Sequence, residues 1–321
     1  MRELIIGKND AGQRLDKFIT KSLGLPMSLL YKSIRTKKIK VNRKRAEIGQ
    51  KLELGDTVQC FLKDEFFDKK SADSDELFRI TPSLDVIYED ENIILINKRP
   101  GISVHEDETG SRDTLVLHLL SYLAKSGEYT PEDEQSFTPA LCNRIDRNTG
   151  GIVIAAKTAE ALRIMNEKIK LREIDKFYLA AVHGHPKPES ATVTAFLCKD
   201  AKENIVRIYD KNPPRDAKKI ITKYETVART ADTSLIEVEL LTGRTHQIRA
   251  HMAHLGYPLI GDGKYGINKE DRARGHKYQA LASYKLRFAF TTDAGILNYL
   301  KDKTFSIPKD KIYFTKEYFA K

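Results

Sequence analysis

The spacing of hydrophobic positions changes along the chain and outlines two regions. In the first region, apolar residues at helical spacing predict amphipathic helices over Arg14–Ile19 and Leu29–Ile34, separated by Gly24 and Pro26. The segment Ile39–Asn42 then alternates between apolar and polar residues, which predicts a short strand. The first region therefore has the pattern of a small domain that contains both helices and strands.

Strands dominate the second region. Val86–Tyr88 and Ile93–Lys98 are apolar runs joined by a polar turn, which predicts a hairpin. Apolar runs rich in β-branched and aromatic residues predict further strands at Ile152–Ala156, Phe177–Val182, Ile220–Val227 and Ser234–Leu241. Helical segments are too few for a regular alternation of strand and helix. We therefore expect an α+β fold whose mixed sheet is largely antiparallel.

Three helices are predicted beside these strands. Thr114–Leu123 carries leucines at the spacing of a buried helix face, and Thr158 can cap a second helix, whose Leu162, Met165 and Ile169 share one face. In the third, Thr245 is placed to cap the first turn and Gly256 to end the helix.

The positive charge lies almost entirely in the first region. Of a net charge of +10, residues 1–63 carry +9, from 15 Lys and Arg against 6 Asp and Glu. Residues 64–80 are acidic and lack clear periodicity, which is typical of a linker. We therefore predict a small basic domain over 1–63, a linker over 64–80 and a larger domain over 81–321. Clustered cations of this kind indicate a phosphate-rich partner such as nucleic acid.

One carboxylate in the second region has an unusual setting. Asp146 stands between Arg144 and Arg147 in a polar loop that runs into the predicted strand Ile152–Ala156. Flanking arginines favour an ionised carboxylate, which can act as a nucleophile or a base. Taken alone, the pattern also fits a structural ion pair.

A second polar cluster follows the strand Ser234–Leu241. The helix predicted after Thr245 carries His246 and Arg249, which are three residues apart and share one face. Basic side chains at a helix start suit an anionic substrate. A metal site that includes His251 and His254 is disfavoured, because no carboxylate lies between Arg244 and Gly261 and the spacing differs from that of helical zinc hydrolases.

The first region resembles the small RNA-binding domain named for ribosomal protein S-four. The similarity rests on three motifs, which are Arg14–Phe18, Lys37–Asn42 and Leu54–Val58. The resemblance implies a small α/β domain that docks on structured RNA. Within it, we predict that RNA is contacted by Arg14, Lys17, Arg35, Lys37, Lys38 and Asn42.

The second region is similar to RluA-type pseudouridine synthases. The similarity rests on motifs that occur in the family's order: Tyr88–Asn92, Asn97–Gly101, Asn143–Gly151, Lys176–Ala180, Thr242–His251 and Gly256–Asp262. The resemblance implies the pseudouridine synthase fold and the isomerisation of uridines in RNA to pseudouridine, without a metal or organic cofactor. Large-subunit ribosomal RNA is the expected target, with transfer RNA as the alternative.

The same resemblance implies roles for individual residues. Asp146 matches the family's catalytic aspartate, Arg249 its partner arginine and Tyr178 the tyrosine that stacks on the target base. Arg144 matches the arginine that fills the space of the flipped nucleotide. We predict further substrate contacts from Arg147, Thr149, Arg244, His246 and Lys98.

Three positions depart from the family pattern. Asn143 stands where the family usually has His, Gly150 where it has Ser, and Ala282 where it has a second His. Two other classes of function stay open at this level, an inactive RNA-binding or ribosome-assembly factor and a metal-dependent hydrolase. No apolar run reaches the roughly 20 residues that span a bilayer, and no signal peptide is recognisable. We therefore expect a cytoplasmic protein without membrane contact, and the resemblance implies a monomer.

Overall fold

The computed structural model describes residues 1–67, 77–106, 113–200, 203 and 205–319. Most of the predicted linker lies outside the described residues. Within the described part of the chain, the structure contains a small sheet near the N-terminus and a large sheet that takes up most of the remaining strands. None of the described helices is long and apolar enough to cross a membrane.

The N-terminal region (residues 1–63) packs two helices on one antiparallel sheet, in which the strands follow the order β1-β4-β2-β3. The helices are Leu15–Leu23 and Met27–Arg35, and the strands are β1 (Arg2–Ile5), β2 (Ile39–Val41), β3 (Lys44–Arg45) and β4 (Thr57–Cys60). Phe18, Ile19 and Leu30 are fully buried in its core. The helices and the strand predicted here are confirmed.

A two-residue turn joins β2 to β3. Asn42 and Arg43 both have positive φ, at 49° and 63°, as the tight turn of a hairpin requires. The Asn42 side chain fixes the turn, because its Nδ2 donates to Asp56 Oδ1 at 2.7 Å and its Oδ1 accepts from the Thr57 amide at 2.9 Å. The turn holds the basic Lys44 and Arg45 in register opposite β2.

The large sheet follows the order β11-β10-β12-β13-β9-β14-β8-β6-β5, with β15 beside β14 and β7 beside β8. Its strands are β5 (Val86–Glu89), β6 (Ile93–Lys98), β7 (Ala140–Leu141), β8 (Gly150–Ala156), β9 (Ile174–His183), β10 (Ser190–Asp200), β11 (Ile205–Tyr209), β12 (Lys218–Arg229), β13 (Thr233–Leu240), β14 (Leu281–Phe288) and β15 (Thr304–Ser306). The pairing of β8 with β14 is parallel and the other described pairings are antiparallel. The predicted mixed, largely antiparallel α+β fold is confirmed.

Both faces of the sheet are covered at its centre. Successive residues of β8 alternate between two cores, with Ile152 and Ile154 in one and Val153 and Ala155 in the other. This explains why the strand is apolar throughout rather than alternating. The helices of this region are Leu115–Lys125, Ala159–Leu171, Gln247–His254, Asn268–Ala273 and Lys316–Phe319.

The parallel contact between β8 and β14 depends on a glycine. Gly151 has φ of 108°, and a Cβ there would clash with the backbone of Ser283. Gly150, in contrast, has ordinary backbone angles, and a Cβ there would lie 3.2 Å from the Tyr313 ring. The departure from the family's Ser at position 150 therefore gives the ring of Tyr313 closer access to the strand.

The N-terminal region is joined to the large sheet region by hydrogen bonds. Asn9 Nδ2 donates to Glu134 Oε1 at 2.5 Å, and Asn9 Oδ1 accepts from the Ala159 amide at 3.0 Å, at the start of a helix. Gln13 Nε2 donates to Ser136 Oγ at 2.7 Å. The chain after the undescribed segment returns to the large region at Leu77, which is buried in its core.

Candidate functional site

A cavity of about 350 Å³ opens where three sequence motifs meet beside the large sheet. Its lining comes from the loop that contains Asp146, from Tyr178 on β9 and from the start of the Gln247–His254 helix. The cavity has the size of small-molecule sites in proteins. Seven of the nine residues predicted for catalysis or substrate contact line it, namely Arg144, Asp146, Thr149, Tyr178, Arg244, His246 and Arg249.

The loop that carries Asp146 is fixed to β8 by its own polar side chains. Asn143 Oδ1 accepts from the Ile154 amide at 2.8 Å, so this side chain binds the start of the loop to β8. The Thr149 amide donates to the Asp146 carbonyl at 3.0 Å, and Thr149 Oγ1 accepts from Gln279 Nε2 at 3.0 Å. Asn143, which departs from the family pattern, thus has a structural function here.

Lys98 supports the loop that carries Asp146 through a buried side chain. Its side chain is 1 % exposed, and Nζ donates to the carbonyls of Arg99, Ile102 and Arg147 at 2.9–3.0 Å. Burial lowers the pKa of Lys98 to about 7, although the nearby charge of Asp146 acts in the opposite direction. The predicted substrate contact of Lys98 is therefore replaced by a supporting role, because all of its hydrogens are directed to backbone carbonyls.

Asp146 contacts a guanidinium that a second carboxylate also holds. Arg249 Nη1 lies 2.9 Å from Asp146 Oδ2, while Nε and Nη2 of the same side chain bind Asp262 at 2.7 and 2.8 Å. Asp262 is fully buried, whereas the Asp146 side chain is 28 % exposed. The arginine is thus locked by the buried carboxylate and presents one N–H to the accessible one.

The electrostatics of the site favour a charged Arg249 and a charged Asp262. Burial acts against the charge of Arg249, but the two carboxylates outweigh it and raise the pKa of the guanidinium. Burial likewise acts against ionised Asp262, yet Arg249 and the amides of Lys264 and Tyr265 lower the pKa of that carboxyl. A fixed, permanently charged arginine beside Asp146 follows from this arrangement.

The helix start differs from the prediction. Thr245 does not cap the helix, since the residue before its first turn is His246, which has φ of 53°. The turn is instead held by Gln247, whose Oε1 accepts from the Thr242 hydroxyl and the Arg244 amide. Its Nε2 donates to the Ile221 carbonyl on β12 at 3.1 Å. A buried amide side chain thus replaces the expected hydroxyl cap.

His246 lies near the same Asp146 oxygen that Arg249 contacts. Its Nε2 lies 3.8 Å from Asp146 Oδ2, and its Nδ1 lies 2.9 Å from the Tyr265 hydroxyl. Burial lowers the pKa of His246 to about 4, with Arg249 acting in the same direction and Asp146 against it. The imidazole is therefore neutral at physiological pH.

Tyr178 presents an aromatic ring to the cavity from the middle of β9. It is 7 % exposed, and burial raises the pKa of its hydroxyl to about 12. Its strand neighbours are Val238 on β13 and Ser283 on β14. The ring is thus part of a rigid sheet, which suits a stacking surface better than a mobile loop does.

The predicted arginines separate into two groups. Arg144 and Arg244 are exposed and line the cavity, where they can reach a phosphate or a base. Arg147 lies outside the cavity lining, and its Nε donates to the Gly101 carbonyl at 3.0 Å. The Arg147 side chain is also exposed, so its predicted substrate contact stays a prediction.

The side chains of His246, His251 and His254 do not converge on one point. His251 Nδ1 lies 2.9 Å from the Thr222 hydroxyl, and His254 Nε2 lies 2.9 Å from Asp210. His246 contacts Tyr265 instead. In the residues that the structure describes, no group of three or more His, Cys, Asp and Glu side chains could hold a metal ion.

A second candidate surface lies on the N-terminal region. The side chains of Lys17, Arg35, Lys37 and Lys38 are exposed, as predicted for RNA contact. Two other predicted residues have internal partners: Arg14 binds Asp16 through Nε and Nη2 at 3.1 and 2.8 Å, and Asn42 fixes its turn. A groove beside these cations is lined by Lys32, Arg35 and Arg45 and by Tyr31, which is 53 % exposed.

Two residues of the site were absent from the predictions. Asp262 and Tyr265 lie in the glycine-rich segment 261–266, and no role in the site was predicted for either. Both hold the residues that face Asp146, since Asp262 binds Arg249 and Tyr265 binds His246. The signal available in the sequence was a carboxylate and an aromatic residue inside a turn that follows a buried apolar pair, Leu259 and Ile260.

Comparisons with known proteins agree with this geometry. The family model described as RNA pseudouridylate synthase matches residues 92–254. The chain is 34 % identical over 292 residues to an uncharacterised RNA pseudouridine synthase of Mycoplasma genitalium, covering 89 % of this chain and 88 % of that protein. It is also 34 % identical over 272 residues to ribosomal large subunit pseudouridine synthase C of Escherichia coli strain K12, covering 83 % and 80 %.

Solved structures share the fold at lower identity. Human RNA pseudouridylate synthase domain containing 1 superposes with a TM-score of 0.56 at 21 % identity, covering 72 % of this chain and 87 % of that one. Human RNA pseudouridylate synthase domain containing 4 gives 0.54 at 20 % identity, covering 73 % and 90 %. At these identities the similarity concerns the fold.

Proposed function

The chain belongs to the RNA pseudouridylate synthase family, and we propose that it isomerises uridines of large-subunit ribosomal RNA with Asp146 as the catalytic carboxylate. The observation that carries the proposal is the contact between Asp146 and Arg249. It places an accessible carboxylate in a cavity, 2.9 Å from an arginine that Asp262 holds from behind. Such a pair orients the carboxylate without closing access to it.

The reaction requires one carboxylate as the reacting side chain. It breaks the bond from the ring nitrogen to the ribose, turns the uracil and joins ring carbon C5 to the sugar. Asp146 can attack the anomeric carbon, attack the base or take a proton from the ribose, and an ionised side chain serves each route. The chemistry needs no activated water.

A uridine in folded RNA must leave its stack before a side chain can reach the glycosidic bond. That step costs a few kcal/mol. We assign its compensation to two groups of the cavity lining, the Tyr178 ring as a stacking surface and the exposed Arg144 as the side chain that fills the vacated space. Base stacking on an aromatic side chain contributes about 1–3 kcal/mol, which is enough to offset much of the cost.

The proposal for the RNA target has two supports. The relatives named above include an enzyme of the large ribosomal subunit. In addition, residues 1–63 carry +9 of the net charge, and all six residues predicted to bind RNA are exposed there. We propose that this region is a separate RNA-binding domain that docks on structured RNA, while the larger domain performs the chemistry.

The experiment maps pseudouridines in ribosomal and transfer RNA from cells that lack the gene. Complementation with the wild-type chain is expected to restore one or more missing sites in large-subunit RNA, and Asp146→Asn is expected to restore none. Purified Asp146→Asn is expected to bind the RNA with wild-type affinity and to release no tritium from uridine-labelled RNA. Restoration of a site by Asp146→Asn would overturn the catalytic assignment, and missing sites confined to transfer RNA would overturn the target.

A further inference from the structure

The imidazole of His246 is held in one orientation by unusual local geometry. Its backbone has φ of 53°, a left-handed conformation that non-glycine residues rarely adopt. The ring packs edge-on against Tyr265, with centroids 5.7 Å apart. The side chain is 10 % exposed and borders the cavity that contains Asp146. A strained backbone and a packed ring together fix where the two nitrogens point.

The hydrogen bonds of Tyr265 determine which nitrogen carries the proton. The hydroxyl oxygen accepts from the Val206 amide at 2.8 Å and lies 2.9 Å from His246 Nδ1. Within the described residues, Nδ1 is the one acceptor within hydrogen-bond distance of that hydroxyl. The hydroxyl therefore donates to Nδ1, and the neutral ring carries its proton on Nε2.

The Nε2 proton faces the carboxylate but is not used by it. The distance from Nε2 to Asp146 Oδ2 is 3.8 Å, which is too long for a hydrogen bond. Oδ2 already accepts from Arg249 at 2.9 Å. Nε2–H is therefore a donor without a partner among the described residues, on a side chain that lines the cavity beside the group that must reach the glycosidic bond.

We propose that His246 donates this Nε2–H to the uracil carbonyl next to the glycosidic nitrogen, in its neutral form, while Asp146 acts on the nucleotide. The inference rests on the proposed function. Asp146 must lie near the ribose, and the carbonyl adjacent to the glycosidic nitrogen is on the ribose side of the ring. A donor so close to Asp146 Oδ2 reaches that carbonyl sooner than the one on the far edge.

The donor is useful when the glycosidic bond breaks. The electron pair of that bond moves to the ring, where the negative charge is shared between the nitrogen and the adjacent carbonyl oxygen. The Nε2–H···O bond strengthens as this charge develops, and the imidazole keeps its proton throughout. The ring then bonds to the ribose through its carbon C5, which loses its hydrogen as a proton, and the former glycosidic nitrogen takes up a proton.

A neutral imidazole suits this step better than a charged one. The charged and titratable groups that face His246 are Asp146, Arg249, Asp262, Lys264 and Tyr265. Burial and the two cations lower its pKa to about 4, so that the ring stays neutral across the physiological range. A neutral donor responds to charge on the ring without binding the RNA phosphates, which a charged one would also attract.

The first test compares variants in single-turnover reactions at saturating RNA. His246→Leu removes the donor and is expected to slow the reaction by about tenfold to 100-fold, with unchanged RNA affinity. His246→Gln retains an N–H of similar reach and is expected to recover part of that loss. Tyr265→Phe removes the hydroxyl that holds the proton of His246 on Nε2, and this variant is expected to react at an intermediate rate. His254→Leu is the matched control, since His254 lies in the last turn of the same helix and binds Asp210 at the surface.

The second test changes the acceptor in the RNA. Replacing the carbonyl oxygen next to the glycosidic nitrogen by sulfur weakens it as a hydrogen-bond acceptor, so the wild-type enzyme is expected to slow on that RNA. His246→Leu is expected to show a much smaller effect, because the bond is already absent. Sulfur at the far carbonyl is the control. Equal sulfur effects in wild type and variant, or an effect at the far carbonyl alone, would overturn the proposal.

The third test needs no activity. Nitrogen NMR of the wild-type protein with labelled histidine is expected to show one ring protonated on Nε2 and not on Nδ1, unchanged from pH 8 to pH 5; the signal that disappears in His246→Gln assigns it. A protonated Nδ1 would overturn the proposal. Asp146→Asn separates the two levels of inference: activity in that variant would refute the proposed function, whereas wild-type rates in His246→Leu would refute this proposal alone.

Discussion

Cations have opposite environments in two regions of this protein. At the cavity and beneath its loop, Arg249 and Lys98 are 5 % and 1 % exposed, and each N–H described above has an acceptor within the protein. On the N-terminal region, Arg35, Lys37 and Lys38 are exposed to solvent. The same residue types therefore perform two tasks: the buried cations shape the site and the exposed cations supply affinity.

Physical chemistry accounts for the separation. A buried cation is costly unless its partners compensate for lost hydration, so it stays only where carboxylates or carbonyls surround it. An exposed cation keeps its hydration and can exchange small ions for phosphates. We therefore expect substitutions of the buried cations to change stability and rate, and substitutions of the exposed cations to change RNA affinity and its salt dependence.

The largest effect is expected from Arg249→Met. The substitution leaves Asp262 fully buried without its main partner, which is expected to lower the free energy of unfolding by about 3–5 kcal/mol. It also removes the N–H that holds Asp146, so isomerisation is expected to fall at least about 100-fold. Urea unfolding followed by circular dichroism measures the first change, and tritium release measures the second.

The double variant Arg249→Met/Asp262→Leu separates the two effects. Removing both buried charges is expected to recover part of the lost stability, because no uncompensated charge remains. Activity is expected to stay low, since Asp146 still lacks its partner. A stable and active double variant would show that Arg249 serves the fold alone. Wild-type stability of Arg249→Met would contradict the expectation that substituting a buried cation destabilises the protein.

Lys98→Met is expected to have an intermediate effect that depends on pH. Lys98 has a pKa of about 7 in the folded protein against 10.5 for an ordinary lysine. The unfolded chain therefore binds more protons between these values, and the contribution of Lys98 to stability rises with pH across that interval. Below pH 7 both states are protonated and the cost of burying the charge is fully present.

The measurement is the difference in unfolding free energy between the wild type and Lys98→Met at several pH values. That difference is expected to move in favour of the wild type from about pH 7 to about pH 9.5, by at most about 1.4 kcal/mol per pH unit. Taking the difference cancels the other titrating groups. A difference that stays constant with pH would contradict the assignment of Lys98 as a buried, titrating support of the loop.

The sequence predicted the sheet well where strands have a clear period or a fully apolar run. Ile152–Ala156 was found because both of its faces are buried, which gives an unbroken apolar segment. β10 was not predicted, because small and polar residues dominate its first half and only Ala195 and Leu197 are fully buried. β14 carries Lys285 and Arg287 among its apolar residues, which weakens the same signal.

The residues of the candidate site were likewise predicted only in part. Asp146, Tyr178 and Arg249 were predicted from motifs and meet in one cavity. Asp262 could not be recognised as the second partner of Arg249, because only the tertiary fold brings the turn after Ile260 behind the helix. The expected cap Thr245 was wrong because Gln247 makes the competing bonds from inside the helix. The helix propensities of neighbouring residues carry no information about such bonds, since one of them reaches Ile221 on a distant strand.

The smallest effect on fold and rate is expected from Lys37→Ala/Lys38→Ala. Both side chains are exposed, so the free energy of unfolding is expected to stay within about 0.5 kcal/mol of the wild type. The single-turnover rate at saturating RNA is expected to be unchanged, because neither residue lines the cavity. RNA affinity is expected to fall, and the slope of its logarithm against the logarithm of salt concentration to decrease by about 1 for each phosphate that the variant no longer neutralises.

The matched control is Lys301→Ala/Lys303→Ala, which removes the same charge from an exposed turn of the larger region. Filter binding at several salt concentrations, with wild type and both variants, separates a local interaction from a change in total charge. If the control reduces affinity and salt slope as much as Lys37→Ala/Lys38→Ala, net charge alone attracts the RNA. A larger effect at positions 37 and 38 would assign the RNA interaction to the N-terminal surface, because both pairs are exposed and carry the same charge.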